Sequence, residues 1–366
     1  MLSRNRRVVD LTVLENNMRL IRSAVPASAK VMAVVKADGY GHGAVETAKA
    51  AARGGAEMLA VASVGEGKQL RESGITMPIL VLGAVTEADA GEGVFYHLTQ
   101  TVCAPKMVEW CEKEAGKLQK QTEVHLKIDT GMGRIGVRNE TERDRILETL
   151  DRCPHVRLTG TFTHFADADG REDGISYTRE QYARFLQMTA PLPAGIIRHC
   201  CNSAAIHRFP EMALDMVRAG ISLYGYPPVP TDLPLKPCMT WSAEISHIKE
   251  LPAESFVSYG RTYRSEAPVR VATVTCGYGD GYHRAAGPAG WVIIRGKRAK
   301  IIGRVCMDQM MADITGIDDA AVGDEVFMLG RSGDAQITAE DIASWAGTIS
   351  YEILLSAGSR VEKMYR

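Results

Sequence analysis

VMAVV (31–35), AVETAKAAARGGA (44–56) and MLAVAS (58–63) read as a short apolar run, a segment with helical spacing, and a second apolar run. Runs of five or six residues rich in valine have the length of a buried strand, and the alanine-rich segment between them has the length of a crossover helix. The alternation continues outward through PILVLG (78–83), YHLTQTV (96–102), VHLKI (124–128), LTGTFT (158–163), IIRHCC (196–201) and ALDMV (213–217), with helical stretches such as TERDRILETLDRC (141–153) between them. Successive strands joined through helices run parallel, because a parallel pair needs a crossover. Eight of them predict an α/β fold with an N-terminal (β/α)8 TIM-like barrel; an open, doubly wound sheet is the alternative.

The pattern changes at YPPVPTDLPLKP (226–237), which holds five of the fifteen prolines. Proline neither continues a helix nor donates to a central strand, so this segment reads as a linker. Beyond it, WSAEISHIKEL, RVATVTCGYG, GWVIIRG, KRAKIIGRVCM and EVFMLG are closely spaced strand candidates separated by glycine-rich turns. They predict a C-terminal, mostly antiparallel β-domain, followed by a helix at 338–347 that opens with a threonine cap. The expected domains are therefore residues 1–236 and 237–366.

The 366 residues carry 43 basic and 44 acidic side chains, a net charge of −1, so no general attraction to nucleic acid or an anionic membrane is expected. No apolar run is long enough to cross a bilayer, and the basic N-terminus lacks the apolar stretch of a signal peptide. A cytoplasmic location is the expectation. The eight cysteines show no C-x-x-C pair and no histidine at ligand spacing. Reduced, mostly buried thiols and no metal site are expected.

Barrel active sites lie at the C-terminal ends of the strands. Lys36 stands there after the first strand, in VVKADGYGHG, and a lysine leaving a buried strand is partly desolvated, which suits it to Schiff-base chemistry. Strand five ends in KIDTGMGRIG, with Lys127, Asp129 and Arg134; strand six in THFADAD, with His164; strand seven in HCCNSAA, with Asn202 and Ser203. Strand eight runs into VRAGISLYG, with Arg218, Gly220 and Ile221. Small residues and bare amides after strands seven and eight suit a phosphate. Taken singly, each motif also has a plain structural reading: a surface lysine, a turn at GMG, a satisfied core histidine, a helix cap at NS.

In order and spacing, VVKADGYGHG, KIDTGMGRIG, THFADAD, NSAA, VRAGISLYG, SYG, GYGDGY and GRVCMDQ resemble bacterial alanine racemases over nearly the whole chain. That resemblance implies an isomerase dependent on pyridoxal 5'-phosphate (PLP), a homodimer with active sites shared between subunits, which interconverts L-alanine and D-alanine and supplies D-alanine for peptidoglycan. It implies that Lys36 carries the cofactor as an aldimine and serves as one base, and that Tyr259 is the base on the opposite face, reaching in from the partner subunit. His164 and Arg218 join them as catalytic residues, Arg218 facing the pyridine nitrogen. Tyr40, Asn202, Ser203, Gly220, Ile221 and Tyr351 match cofactor-binding positions; Arg134 and Met307 match the substrate-carboxylate site. Asp169, Tyr278, Arg284 and Arg304 match the substrate entrance, and Lys127 matches a lysine that is often carbamylated. The departures are cysteines at 200, 201 and 276, where other small or apolar residues are expected; they read as structural filler.

Three other functions fit less of the sequence. A serine or broad-specificity amino-acid racemase of the same fold differs by details that motifs do not resolve, since a loose pocket admits a hydroxyl at little cost. A barrel-fold PLP decarboxylase would carry a longer glycine-rich phosphate loop and an acidic partner for the ring nitrogen. A non-catalytic PLP carrier would be a single barrel without residues 238–366.

Overall fold

The computed structural model describes residues 4–366 and divides them into two compact units. The larger comprises Leu14–Gly39 and Gly43–Lys236. After a first strand, β1 (Asn5–Val9), which belongs to the other unit, its strands are β2 (Lys30–Val34), β3 (Met58–Val61), β4 (Ile79–Ala84), β5 (Thr99–Val102), β6 (Thr122–Lys127), β7 (Val156–Phe162), β8 (Ile197–His199) and β9 (Met216–Ala219). Each pairs in parallel with the next, and β9 pairs with β2 to close the barrel. Helices cross over between most of them, with caps that the sequence supplies: Ser63, Thr86, Asn139 and Asn202 each accept a backbone N–H in a first turn.

The barrel interior is not purely apolar. Gln100, Thr101, His125, Lys127, Thr161, His199 and Arg218 are all buried with the valines and leucines of the strands. Buried polar groups demand partners. Thr101 Oγ1 donates to the Val81 carbonyl at 2.6 Å and Thr161 Oγ1 to that of Leu126 at 3.0 Å.

The second unit comprises residues up to Val13, Tyr40–His42 and Pro237–Arg366. Its sheet has nine strands, and pairing between β10 (Met239–Leu251) and Glu325–Ser332 closes six of them onto one another with antiparallel neighbours throughout. Trp241 and Tyr282 meet edge to face in its core, ring centres 6.3 Å apart. The helix Ala339–Ala346 begins in a reciprocal capping box between Thr338 and Asp341 and ends on Gly347 at φ 73°.

The structure differs from the sequence reading in three places. Strand β1 lies in the second unit's sheet, antiparallel to β10 and parallel to Glu362–Tyr365, instead of with the barrel. The eighth barrel strand is Met216–Ala219 instead of 213–217, because Leu214 takes φ 50° and breaks extended structure just before it. Short strands at Phe256–Val257, Tyr263–Arg264, Met310–Asp313, Ala335–Ile337 and Glu362–Tyr365 carry too few residues to stand out as periodic runs. Among the described residues, no helix is long and apolar enough to cross a membrane.

Candidate active site

Lys36 follows β2 and opens a left-handed turn in which Ala37, Asp38, Gly39 and Tyr40 take φ of 51°, 53°, 61° and 52°. For the three non-glycine residues this costs about 1–2 kcal/mol each, so the turn persists only where its surroundings hold it. The Gly39 N–H donates to the Val35 carbonyl (2.9 Å), the Gly43 N–H to that of Asp38 (2.7 Å), and the Ala44 N–H to Asp38 Oδ1 (3.1 Å). The Lys36 amine is half-buried; burial lowers its pKa first, and the nearby charges of Arg134 and Arg218 lower it further, against an opposing effect of Glu66.

Arg218, on β9, organises the barrel mouth. Its guanidinium donates through Nη1 to His199 Nδ1 (3.1 Å) and through the two protons of Nη2 to the carbonyls of Thr163 (2.9 Å) and Cys200 (3.0 Å), with His164 Nδ1 (3.2 Å) sharing one of them. Burial brings its pKa down to about 10, which leaves it a cation at neutral pH. A guanidinium only donates, so His164 and His199 must both accept at Nδ1 and carry their proton on Nε2. His199 Nε2 in turn lies 3.0 Å from His125 Nδ1, which accepts. Arg218 therefore dictates the tautomer of three imidazoles, His164 and His199 directly and His125 through His199. All three are held neutral, His125 down at about 3, by burial, with Arg218 adding to the effect on His164 and His199.

At the end of β6 Lys127 is 2% exposed, and its amine donates to the Ile128 carbonyl at 2.7 Å and lies 5.4 Å from the centre of the Phe162 ring. Burial, with Arg218 and Arg134 adding to it, lowers its pKa to about 8. Asp129 is occupied elsewhere, its Oδ1 accepting the N–H groups of Gly131 (3.1 Å) and Gly133 (3.0 Å) to shape the loop that carries an exposed Arg134. The loop requires glycine at 131: φ is 144°, and a Cβ there would come within 2.2 Å of the Tyr177 hydroxyl.

After β8, Asn202 caps the next helix with its carboxamide oxygen (3.1 Å from the Ala205 nitrogen), so its remaining hydrogen-bonding capacity is the NH2 group. Ser203 Oγ accepts the N–H of Gly220 (2.9 Å) and of Ser222 (3.4 Å), which turns the serine proton outward and draws Gly220 and Ile221 to the same spot. Asp169 is exposed after β7, its loop braced by Arg208 on the carbonyls of Ala168 and Gly170.

The remaining predicted residues belong to the second unit. Tyr40 is buried, its ring 6.0 Å from that of Tyr351, and burial pushes its hydroxyl well above the usual tyrosine pKa. Tyr259 and Met307 line one cavity of about 350 Å³ together with Ser258, Cys306, Asp308 and Gln309. They are 70% and 54% exposed, unusual for a tyrosine and a methionine in one patch. Ser258 (φ 67°, ψ −177°) is in a conformation nearly confined to glycine and is tied by its hydroxyl to the Arg304 carbonyl at 2.5 Å. The loop of Tyr278 folds onto the same patch through N–H bonds from Tyr278 to Cys306 and from Gly279 to Met307. Arg284 is exposed in a short 3-10 turn.

Residues 9–228 match the family model described as alanine racemase, N-terminal domain, and residues 238–365 the one described as alanine racemase, C-terminal domain. The chain belongs to the alanine racemase family. It is 41% identical to the alanine racemase of Desulforamulus reducens, across 98% of this chain and 97% of that one. The alanine racemase of E. faecalis superposes with a TM-score of 0.92 at 35% identity, covering 100% of this chain and 98% of the other. That of Bacillus anthracis, solved with bound L-Ala-P, gives 0.91 at 35% identity over 100% and 96%.

Within this racemase fold the three odd cysteines are buried: Cys200 and Cys201 both place Sγ 3.1 Å from the Met212 carbonyl, and burial pushes the Cys276 thiol up. The Lys127 amine is not turned out to solvent: it is buried on the Ile128 carbonyl, and the charge of Arg134 reaches it there. Sequence reasoning missed His199, His125 and Glu66. His199 stood in plain view within HCCNSAA, but its partner Arg218 became evident only once β8 and β9 were seen side by side.

Proposed function

We infer that the chain interconverts L-alanine and D-alanine by proton transfer at Cα, using PLP, and works as a cytoplasmic homodimer whose D-alanine feeds peptidoglycan. The carrying observation is the cationic cluster at the barrel mouth: buried Arg218 is bonded to His164 and His199, and Arg134, Lys127 and Lys36 lie near enough for their charges to act on half-buried His164 as well. Such a concentration of positive charge suits a phosphorylated cofactor together with an amino-acid carboxylate. The residues fit that group in detail. The depressed Lys36 amine can attack an aldehyde, Ser203 offers an outward O–H beside the Gly220 and Ile221 segment, and buried Arg218 offers a donor to a ring nitrogen. Asn202, Tyr40 and Tyr351 complete the assignment of cofactor-binding residues. Pyridoxal phosphate, when bound, withdraws electrons from the Cα of an attached amino acid and makes its proton labile.

Racemisation needs a base on each face of Cα. Lys36 removes or returns the proton on one face through Nζ, and Tyr259 does so on the other through its hydroxyl, delivered by a second copy of the chain. The exposure of Tyr259 and Met307 supports this division of labour, because such a patch suits an interface. His164 and Arg218 keep the protons of the mouth in fixed places. Arg218 donates without giving up its proton, so it favours a weak electron sink and rapid reprotonation over transamination. Arg134 and the backbone of Met307 bind the substrate carboxylate; Asp169, Tyr278, Arg284 and Arg304 line its entrance. The eight free cysteines, none of them in a disulfide, support a reducing compartment.

Incubating the purified chain and PLP with L-alanine, L-serine and L-lysine separately, followed by chiral analysis, tests this reading. Alanine should reach equal amounts of both enantiomers from either side, with serine slower and lysine not decarboxylated. Unchanged alanine beside converted serine or lysine would replace it.

Lys127 gives a separate prediction. A pKa near 8 leaves about a tenth of its amine neutral at pH 7, against well under a hundredth for an ordinary lysine, and the neutral amine is the form that adds carbon dioxide. The carbamate reverses the charge and holds Arg134 for the carboxylate. Lys127→Ala should raise KM more than it lowers kcat, and chloride or acetate should partly restore it. In the unaltered enzyme KM should rise as pH falls from 8 to 6, because protonation of the amine removes the carbamate. High-resolution density showing a bare amine in crystals grown in air at neutral pH contradicts the modification.

A further inference from the structure

The left-handed turn after β2 is strained, and one carboxylate outside it carries a disproportionate share of its support. Glu66 is the third residue of the helix Val64–Glu72, whose cap is Ser63. A glutamate there ordinarily reaches back to the N–H of the capping residue. This one reaches past it: Oε2 accepts the Ala62 N–H at 2.6 Å, at the end of β3, and Oε1 accepts the Ala37 N–H at 2.7 Å, the residue directly after Lys36. Helix capping accounts for neither bond. Two short, charge-assisted bonds from one carboxylate tie together the ends of adjacent parallel strands and clamp the first residue of the turn. The charges acting on the Lys36 amine are Arg134 and Arg218, which repel a proton from it, and Glu66, which attracts one.

We propose that Glu66 is a positioning residue that fixes Lys36 at the barrel mouth by clamping the Ala37 and Ala62 amides. The bond to Ala37 also holds its charge beside the lysine, where it acts against the two arginines. The catalytic meaning of this rests on Lys36 being the cofactor lysine; the clamp itself does not. Two functions of the carboxylate make two separable effects. Glu66→Gln keeps the size and one acceptor oxygen but loses the charge and turns an NH2 toward the second amide. Glu66→Asp keeps the charge but is one methylene too short to span both amides.

The test uses the full-length chain, measured by hydrogen–deuterium exchange over residues 36–43 and by the pH dependence of Lys36 acetylation, read by mass spectrometry. Exchange in this segment should quicken by about tenfold or more in both variants, the factor expected from losing a charge-assisted bond to an amide. The midpoint for Lys36 acetylation should fall in Glu66→Gln and stay near wild type in Glu66→Asp. PLP binding, followed by absorbance, should weaken in both. Unaltered exchange in both variants overturns the clamp, and an unaltered acetylation midpoint in Glu66→Gln overturns the charge effect. If Glu66→Gln does not fold, Glu66→Asp alone decides the clamp by exchange, and wild-type exchange and PLP binding there refute it. Borohydride reduction of the PLP-loaded wild type followed by peptide mapping keeps the two readings apart: label on a residue other than Lys36 removes its catalytic meaning, whereas the exchange result judges Glu66 regardless.

Discussion

Lys36→Ala is expected to abolish racemisation, with a loss of roughly ten-thousandfold or more, and to remove the visible absorption of the purified protein. Both effects follow from one amine serving two purposes, covalent attachment of PLP and proton transfer on one face of Cα; a base alone contributes about 10²–10⁴. Its strand-end burial and the charges of Arg134 and Arg218 lower its pKa, which favours the neutral, nucleophilic amine. Lys36→Arg should be no better, since a guanidinium neither attacks an aldehyde nor releases its proton. Absorbance scans, borohydride fixation and chiral assays on the same samples check this. Retained visible absorbance in Lys36→Ala, with the label on Lys127, would move the assignment to the other depressed lysine of the mouth.

Tyr259→Phe should cost on the order of a hundredfold or more in rate, because it removes the second base and nothing else of comparable size. The loss should fall unequally on the two proton transfers. With Cα-deuterated L-alanine and D-alanine, the enantiomer whose proton Tyr259 removes should show the larger rise in substrate isotope effect, as that transfer becomes more fully rate-limiting. PLP absorbance should stay as in wild type, since the hydroxyl is not a cofactor ligand. Equal rates in wild type and variant would reject the role.

Much of the fold was legible because the barrel strands are short apolar runs bounded by turns, and β2 to β9 all fall on or beside them. β1 was not: NRRVV alternates buried and half-buried positions with two arginines among them, and its partners on the sheet lie far along the chain at Met239–Leu251 and Glu362–Tyr365. No local pattern carries a pairing of that span. The candidate site was legible as a set of strand ends, which is why Lys36, Arg134, His164 and Arg218 could be named at all. What the sequence could not reveal was direction: that Arg218 sets the tautomers of His164, His199 and His125, or that Glu66 reaches beyond its own helix to Ala37. Lys127 shows the limit from the other side. A lysine ordinarily carries its amine to water, and here the barrel interior keeps it, bonded to the carbonyl of its own neighbour.

The central claim is that Lys36 of one chain and Tyr259 of another make one active site, and subunit mixing tests it most directly. Lys36→Ala and Tyr259→Phe are each expected to be nearly inactive. Unfolded together and refolded with PLP, or exchanged at low concentration until mass spectrometry shows random mixing, half of the dimers become mixed, and each has one site with both bases intact. Activity should then return to about one-quarter of wild type, as two-fold symmetry requires. No recovery in a sample shown to be mixed would place both bases within a single chain and contradict the account.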